Sequence, residues 1–271
     1  MRYGLAAWGL REESLESQLA LTKKLGLELL EFSIANYDKD ALQLGATDAQ
    51  IEHVKKLFRQ NGIRLECGCT GNDFTGDDVA EQVKKVKEVI DIAAKLGLRY
   101  LRIFAGFNSD SVVIGERLVK MLAALKEVND YAKNTGVRLC VETHGGVACL
   151  ENGALVHFNS ATTRTDIWKE IVKTGVSCAY DPANLTAVGT TCAPGFFRQF
   201  KEAVAYVHLK DFRDVEGGVR PAACGEGRLD WKRLMETLKE FDGLAMIEYE
   251  LPEDVEDGMT RSLNFLKTHE A

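Results

Sequence analysis

Short apolar runs and amphipathic stretches alternate along the whole chain. Apolar runs at residues 2–8, 27–32, 63–67, 98–104, 137–142, 176–180, 204–209 and 244–249 are strand-like in length and content. Stretches at 15–25, 49–60, 77–96, 113–133, 166–173, 194–202, 231–240 and 256–269 space their apolar residues along one helical face. Local chemistry marks the boundaries. Ser14 opens the first helical stretch and Gly26 closes it; Thr47 with Gln50 three residues on reads as a capping box; Thr165 caps a later helix. Several helices end on a glycine that leads straight into the next strand, as in Leu96-Gly97-Leu98 and Thr135-Gly136-Val137, where a left-handed C-terminal cap belongs.

Strict alternation of strand and helix demands a parallel sheet with right-handed crossovers. Eight such units in 271 residues predict an α/β fold: a closed (β/α)₈ TIM barrel, one domain over residues 1–271. An open doubly wound sheet is the alternative, but no Gly-x-Gly-x-x-Gly follows the first strand. Two segments stand outside the repeat. Residues 147–159 read either as a loop or as a small hairpin turned at Glu151-Asn152-Gly153, and residues 217–227 read as a glycine-rich loop.

Composition narrows the function classes. With 45% hydrophobic residues the chain can bury a sizeable core, and a net charge of −7 argues against a general nucleic-acid surface. No apolar run approaches about 18 residues, so no membrane span is expected. The N-terminus lacks a charged region followed by a long apolar one, so no secretory leader is expected. Seven scattered cysteines, an odd number, fit a reduced, cytoplasmic compartment. Cys67-Gly68-Cys69 has no second close pair to complete a zinc site.

The candidate chemistry lies where the strands end. In a parallel barrel all strand C-termini face one mouth. Glu142 ends the fifth strand, Asp181 follows the sixth, His208 lies on the seventh, and Glu248 on the eighth. Acids gathered beside an imidazole repel one another unless a cation neutralises them. Three carboxylates with one imidazole form an oxygen-rich site for one divalent ion, Mn²⁺ foremost, with Mg²⁺, Co²⁺ or Zn²⁺ also suited. His144 shares the parity of Glu142, Lys210 that of His208, and Glu250 that of Glu248. Glu31 ends the second strand.

In these features the chain resembles the xylose-isomerase-like TIM barrels, sugar-phosphate isomerases and epimerases related to the apurinic-site endonucleases. The resemblance spans nearly the whole chain. It is most specific at Tyr206-Val207-His208-Leu209-Lys210-Asp211, at Gly225-Glu226-Gly227-Arg228-Leu229-Asp230-Trp231 and at Ile247-Glu248-Tyr249. It implies that Glu142, Asp181, His208 and Glu248 hold one divalent metal. It also implies that Glu142 and Glu248 flank a ketose or sugar phosphate as the acid/base pair, moving a proton through a metal-stabilised enediolate. Two departures count. Many relatives place a histidine three residues after the sixth-strand Asp, where this chain has Asn184. The extra histidines of the endonuclease branch are absent, since the chain has only 5.

The remaining candidates each carry two readings. His144 binds a substrate hydroxyl or takes part in proton transfer, or else makes a structural hydrogen bond. Lys210 binds an oxyanion or pairs with a carboxylate. Asn184 stands at a substrate-facing position. Arg220 reaches substrate or simply sits in solvent. Trp8 and Phe104 form an apolar wall for a sugar face or pack the barrel. Asp211 points away from the mouth and orients a neighbour, and Glu226 closes a loop. The expected partner is a small sugar or polyol, with a homo-oligomer compatible. The alternatives to isomerisation are a lyase or dehydratase on a keto-sugar or polyol, and a sugar-binding barrel without activity.

Overall fold

A computed structural model describes residues 1–189 and 192–269. Eight parallel strands form one sheet: β1 (Arg2–Leu5), β2 (Phe32–Ser33), β3 (Cys67–Cys69), β4 (Tyr100–Ile103), β5 (Arg138–Glu142), β8 (Ser177–Tyr180), β9 (Val204–Leu209) and β12 (Leu244–Ile247). Each pairs with its neighbour in chain order, and β12 pairs back onto β1. A single bridge between Leu5 and Leu30 completes the ring. There the Leu5 N–H donates to the Leu29 carbonyl oxygen at 3.1 Å, and the Glu31 N–H donates to the Leu5 carbonyl oxygen at 2.9 Å. The helices α1 (Leu15–Lys24), α2 (Asp48–Asn61), α3 (Val79–Leu96), α4 (Gly115–Ala132), α5 (Thr165–Lys173), α7 (Ala193–Phe200), α8 (Trp231–Leu238) and α9 (Val255–Thr268) follow the strands. This is the TIM-barrel fold that the alternation predicted.

The caps appear where the sequence placed them. Ser14 accepts from the Ser17 N–H, and Thr47 with Gln50 forms the reciprocal capping box. Gly62 ends α2 in the left-handed region at φ 71°, which a side chain adopts only under strain. Some strands are shorter than the apolar runs suggested. Of residues 27–32 only Phe32 joins a continuous ladder; Leu29 and Leu30 make single bridges, to Arg64 and Leu5. The third strand forms at Cys67–Cys69 rather than at 63–67. The stagger of a closed barrel sets which residues pair, and an apolar run does not reveal it. One helix was not anticipated: α6 (Pro182–Val188), which Asp181 caps from its side chain and Pro182 opens.

The two segments outside the repeat form a second sheet. Residues 147–159 are a hairpin, β6 (Gly146–Cys149) with β7 (Leu155–Phe158). The expected glycine-rich loop 217–227 is in part a strand: β11 (Gly218–Ala222) pairs antiparallel with β10 (Asp211–Val215) across Glu216-Gly217. That pair is a two-residue hairpin turn, with Gly217 at φ 83°. Val219 pairs with Leu155, so the hairpins following β5 and β9 join into a four-stranded sheet in the order β10-β11-β7-β6. Both hairpins leave the strand C-termini, so the sheet lies at the barrel mouth.

Asp211 locks this insertion to the barrel. Its buried carboxylate accepts from the N–H groups of Phe212, Gly225, Gly227 and Leu229 and from the Trp231 indole at 2.7 Å. Gly227 has no room for a side chain, because a Cβ there would lie 2.1 Å from the Asp211 carboxylate. Asp211→Ala strands several buried donors at once, so the expected cost is about 3 kcal/mol of unfolding free energy. A denaturant titration of wild type against variant measures it.

Candidate metal centre and its cavity

Four side chains from consecutive barrel strands converge at the mouth. Glu142 ends β5, Asp181 follows β8, His208 points inward from β9, and Glu248 follows β12. All are buried, with one ligand atom from each within 4.8 Å of the others. His208 Nδ1 lies 3.5 Å from Glu142 Oε1 and 3.5 Å from Glu248 Oε2. These separations exceed a hydrogen bond. Neither ring nitrogen of His208 has a hydrogen-bond partner, nor does Asp181 Oδ2. Buried donors left unbonded around one point fit a divalent cation, and an oxygen-rich set with one imidazole suits it chemically. Among the described residues this is the one such cluster of three or more ligating side chains.

A second layer of charge surrounds the four. Glu31 lies behind His208, with Oε1 3.6 Å from Nε2, so Nδ1 is left facing the cluster. Glu31 is held by the Tyr206 hydroxyl at 3.0 Å and the Ala7 N–H at 3.2 Å. Burial pushes its pKa up, but Arg102 and His208 outweigh burial and hold it at about 2. Arg102 is buried between Glu142 Oε2, 3.4 Å away, and Glu31 Oε1, 3.7 Å away, and stacks on Phe104 at 4.6 Å. Lys210 Nζ lies 2.8 Å from Glu248, 2.8 Å from Glu250 and 3.3 Å from Asp181. Burial opposes ionisation of Glu142 and Glu248 too, yet Arg102 holds the first down and Lys210 the second. Asp181 fares differently: burial, helped by the neighbouring Glu142 and Glu248, outweighs Lys210 and pushes it up to about 7.

Glu142 and Glu248 of the cluster face a cavity of about 890 Å³. Trp8, His144, Asn184 and Lys210 line it, as do Glu142 and Glu248. Asn184 Nδ2 donates to Glu142 Oε1 at 3.3 Å and to the Thr143 carbonyl oxygen at 3.1 Å. His144 stands edge-on to Phe104 and Phe107, both 5.4 Å away between centroids. Burial lowers its pKa against the opposing charge of Glu142, which favours the neutral ring. Its Nδ1 faces the Gly145 carbonyl oxygen at 2.5 Å and must carry the proton, which leaves Nε2 with a lone pair. Arg220 lies elsewhere: it is exposed and donates to the Asn152 carbonyl oxygen, tying the two hairpins together. The Cys67 and Cys69 thiols are buried in the barrel interior, and burial raises both well above the usual range.

Several cavity residues escaped the sequence reading, Arg102 and His157 among them. Arg102 was legible in principle, as an inward-parity cation in an apolar strand. His157 enters from β7, which the alternation did not define; it packs on Phe212 at 4.9 Å, and burial lowers its pKa to about 3.

The sequence profile of the xylose isomerase-like TIM barrels matches residues 19–269. The chain belongs to that family. No curated protein matches the sequence. Solved structures share the fold at low identity. The probable 3-DHS dehydratase AsbF from Bacillus anthracis superposes with a TM-score of 0.75 at 13% identity, covering 98% of this chain and 99% of that one. The IolI protein, solved with a bound zinc atom, gives 0.75 at 17%, over 100% and 98% of the two chains. A D-tagatose 3-epimerase-like protein gives 0.73 at 16%, over 99% and 98%.

The centre makes two predictions. Asp181→Ala and His208→Ala each weaken Mn²⁺ binding by more than about 100-fold, and Glu31→Gln, behind His208, by about 10- to 100-fold. Calorimetric titration of metal-free protein reads both. Affinity rises with pH through 7 and beyond, because Asp181 and His208 must both shed a proton before they can ligate. Asp181 is pushed up to about 7, and on His208 the downward push of burial is outweighed by Glu248 and Glu142, which raise it well above its ordinary value. The same titration repeated from pH 5.5 to 8.5, ~0.5 apart, checks the sign.

Proposed function

We propose that the protein is a divalent-metal-dependent isomerase or epimerase of a ketose or sugar phosphate, with Mn²⁺ as the resident ion. Glu142, Asp181, His208 and Glu248 hold the ion, and Glu142 and Glu248 exchange the substrate proton. One observation carries this reading: two glutamates from β5 and β12 both line the cavity beside the unbonded His208 Nδ1. A divalent ion bound there polarises a carbonyl and an adjacent hydroxyl, acidifying the intervening C–H.

The protein's own groups do the rest. Glu142, kept ionised by Arg102, is placed to take a proton, and Glu248, hydrogen-bonded by the Lys210 ammonium, to return one drawn through that lysine. The lone pair on His144 Nε2 accepts a substrate hydroxyl, and Asn184 steadies the Glu142 carboxylate. Trp8 and Phe104 offer apolar faces to a sugar ring. The sheet at the mouth contributes Leu155 and Pro221 to the cavity wall.

A panel of ketoses and their phosphates, incubated with Mn²⁺ in D₂O and followed by NMR, tests this. The expected outcome is deuterium at the carbon beside the carbonyl together with an epimer or aldose. Glu142→Gln and Glu248→Gln each lower the rate by about 100- to 10,000-fold. Absence of exchange with every ketose overturns the proposal, and loss of water from the substrate without epimer formation marks a dehydratase instead.

A further inference from the structure

The barrel mouth is divided electrically. The metal cluster occupies the arc from β5 through β8 and β9 to β12, and the two buried cations around it have carboxylates beside them: Arg102 on β4 meets Glu31 and Glu142, and Lys210 meets Asp181, Glu248 and Glu250. The same cavity extends over the rest of the ring, above β1 to β3, where two more cations line it. Lys85 reaches in from the second turn of α3, and Arg11 from the segment between β1 and α1.

Neither of these has a carboxylate within ion-pair distance among the described residues. Lys85 is half-buried, and its Nζ makes one hydrogen bond, to the Gly71 carbonyl oxygen at 2.5 Å, leaving two N–H donors unused. Burial lowers its pKa with nothing to offset the loss. Arg11 donates to the carbonyl oxygens of Trp8 at 3.0 Å and Glu250 at 3.5 Å, and lies over the Trp8 ring at 4.6 Å. Asp73, the acid that lines the cavity beside Lys85, spends Oδ1 on the Thr75 N–H and hydroxyl. A half-buried ammonium on a cavity wall, without counter-charge and with spare donors, is complete only when an anion enters.

We propose that Lys85, assisted by Arg11, forms an oxyanion subsite across the cavity from the metal centre. The substrate would then carry a phosphate or carboxylate at the end remote from its carbonyl. This rests on the reading of the cavity as the substrate site and narrows it from sugars in general to anionic sugars. The cavity's size agrees: 890 Å³ leaves ample room beyond one monosaccharide.

The test has a binding arm that needs no turnover. Inorganic phosphate and, separately, acetate are titrated calorimetrically into the metal-free protein, so that neither can attach to the ion. Wild type should bind one of the two, the preference telling phosphate from carboxylate; Lys85→Met should bind it at least about tenfold more weakly, with Lys85→Arg recovering most of the affinity. An affinity equal in wild type and Lys85→Met, reporting an adventitious ion only, or no binding of either anion, overturns the proposal. In the kinetic arm, each ketose is compared with its terminal phosphate or carboxylate. The ratio of their kcat/KM values should fall about tenfold in Lys85→Met through KM, and a ratio that does not move also overturns the subsite. If no ketose reacts, the isomerase reading fails, while the anion titration still decides the subsite.

Discussion

The molecule is organised around charge kept out of water. Glu31, Glu142, Asp181 and Glu248 are all buried at the barrel mouth, and only Arg102 and Lys210 are buried beside them. An unpaired buried carboxylate costs several kcal/mol, on the order of the whole stability of a domain. Two positive charges on Arg102 and Lys210 face four carboxylates, so the mouth is short of positive charge, which a protonated His208 relieves in part and a divalent ion would relieve more fully. The pKa shifts express the same imbalance: three of the acids are held down by their cations, and Asp181, the least well served by Lys210, goes up to about 7.

The barrel supplies this arrangement because strand ends are the one place where a parallel sheet can gather side chains from distant parts of the sequence. Below the charged layer the interior is filled by Leu29, Tyr100, Tyr206 and Met246 with small residues such as Ala6 and Cys67, so polar groups have nowhere to retreat. Glu31 and Tyr206 form the seam between the layers, since the tyrosine packs below and its hydroxyl fixes the carboxylate that backs His208. Mutations in this seam would therefore be felt at the four converging side chains, although neither residue lines the cavity.

What the sequence disclosed follows from what is periodic. Alternation of apolar runs and amphipathic stretches requires only local patterning, so the eight-unit barrel was legible, and with it Glu142, Asp181, His208 and Glu248, each at the end of its unit. The hairpin half of residues 217–227 was not, because its pairing partner β10 directly follows the seventh barrel strand and reads as its continuation. Arg102 went unread because its meaning depends on carboxylates 71 positions before and 40 after it, and parity alone does not separate an inward cation from a solvated one. Arg220 looked available in a loop that is in fact a strand, and its side chain is spent on joining two hairpins.

The two halves of the mouth answer to different constraints, and this shapes how such a barrel can change its substrate. Metal ligands must converge within about 2 Å of a shared ion, and their positions are set by strand ends that cannot move without breaking the ring. Lys85 and Arg11 sit on a helix and in a connecting segment, His157 and Leu155 on an added hairpin, and none of these is constrained by the barrel's closure. A loop residue can be exchanged while the ion, the two glutamates and their supporting cations stay in place. On the proposed reading, proton transfer belongs to the strands of this chain, and the choice of molecule to the segments that join them.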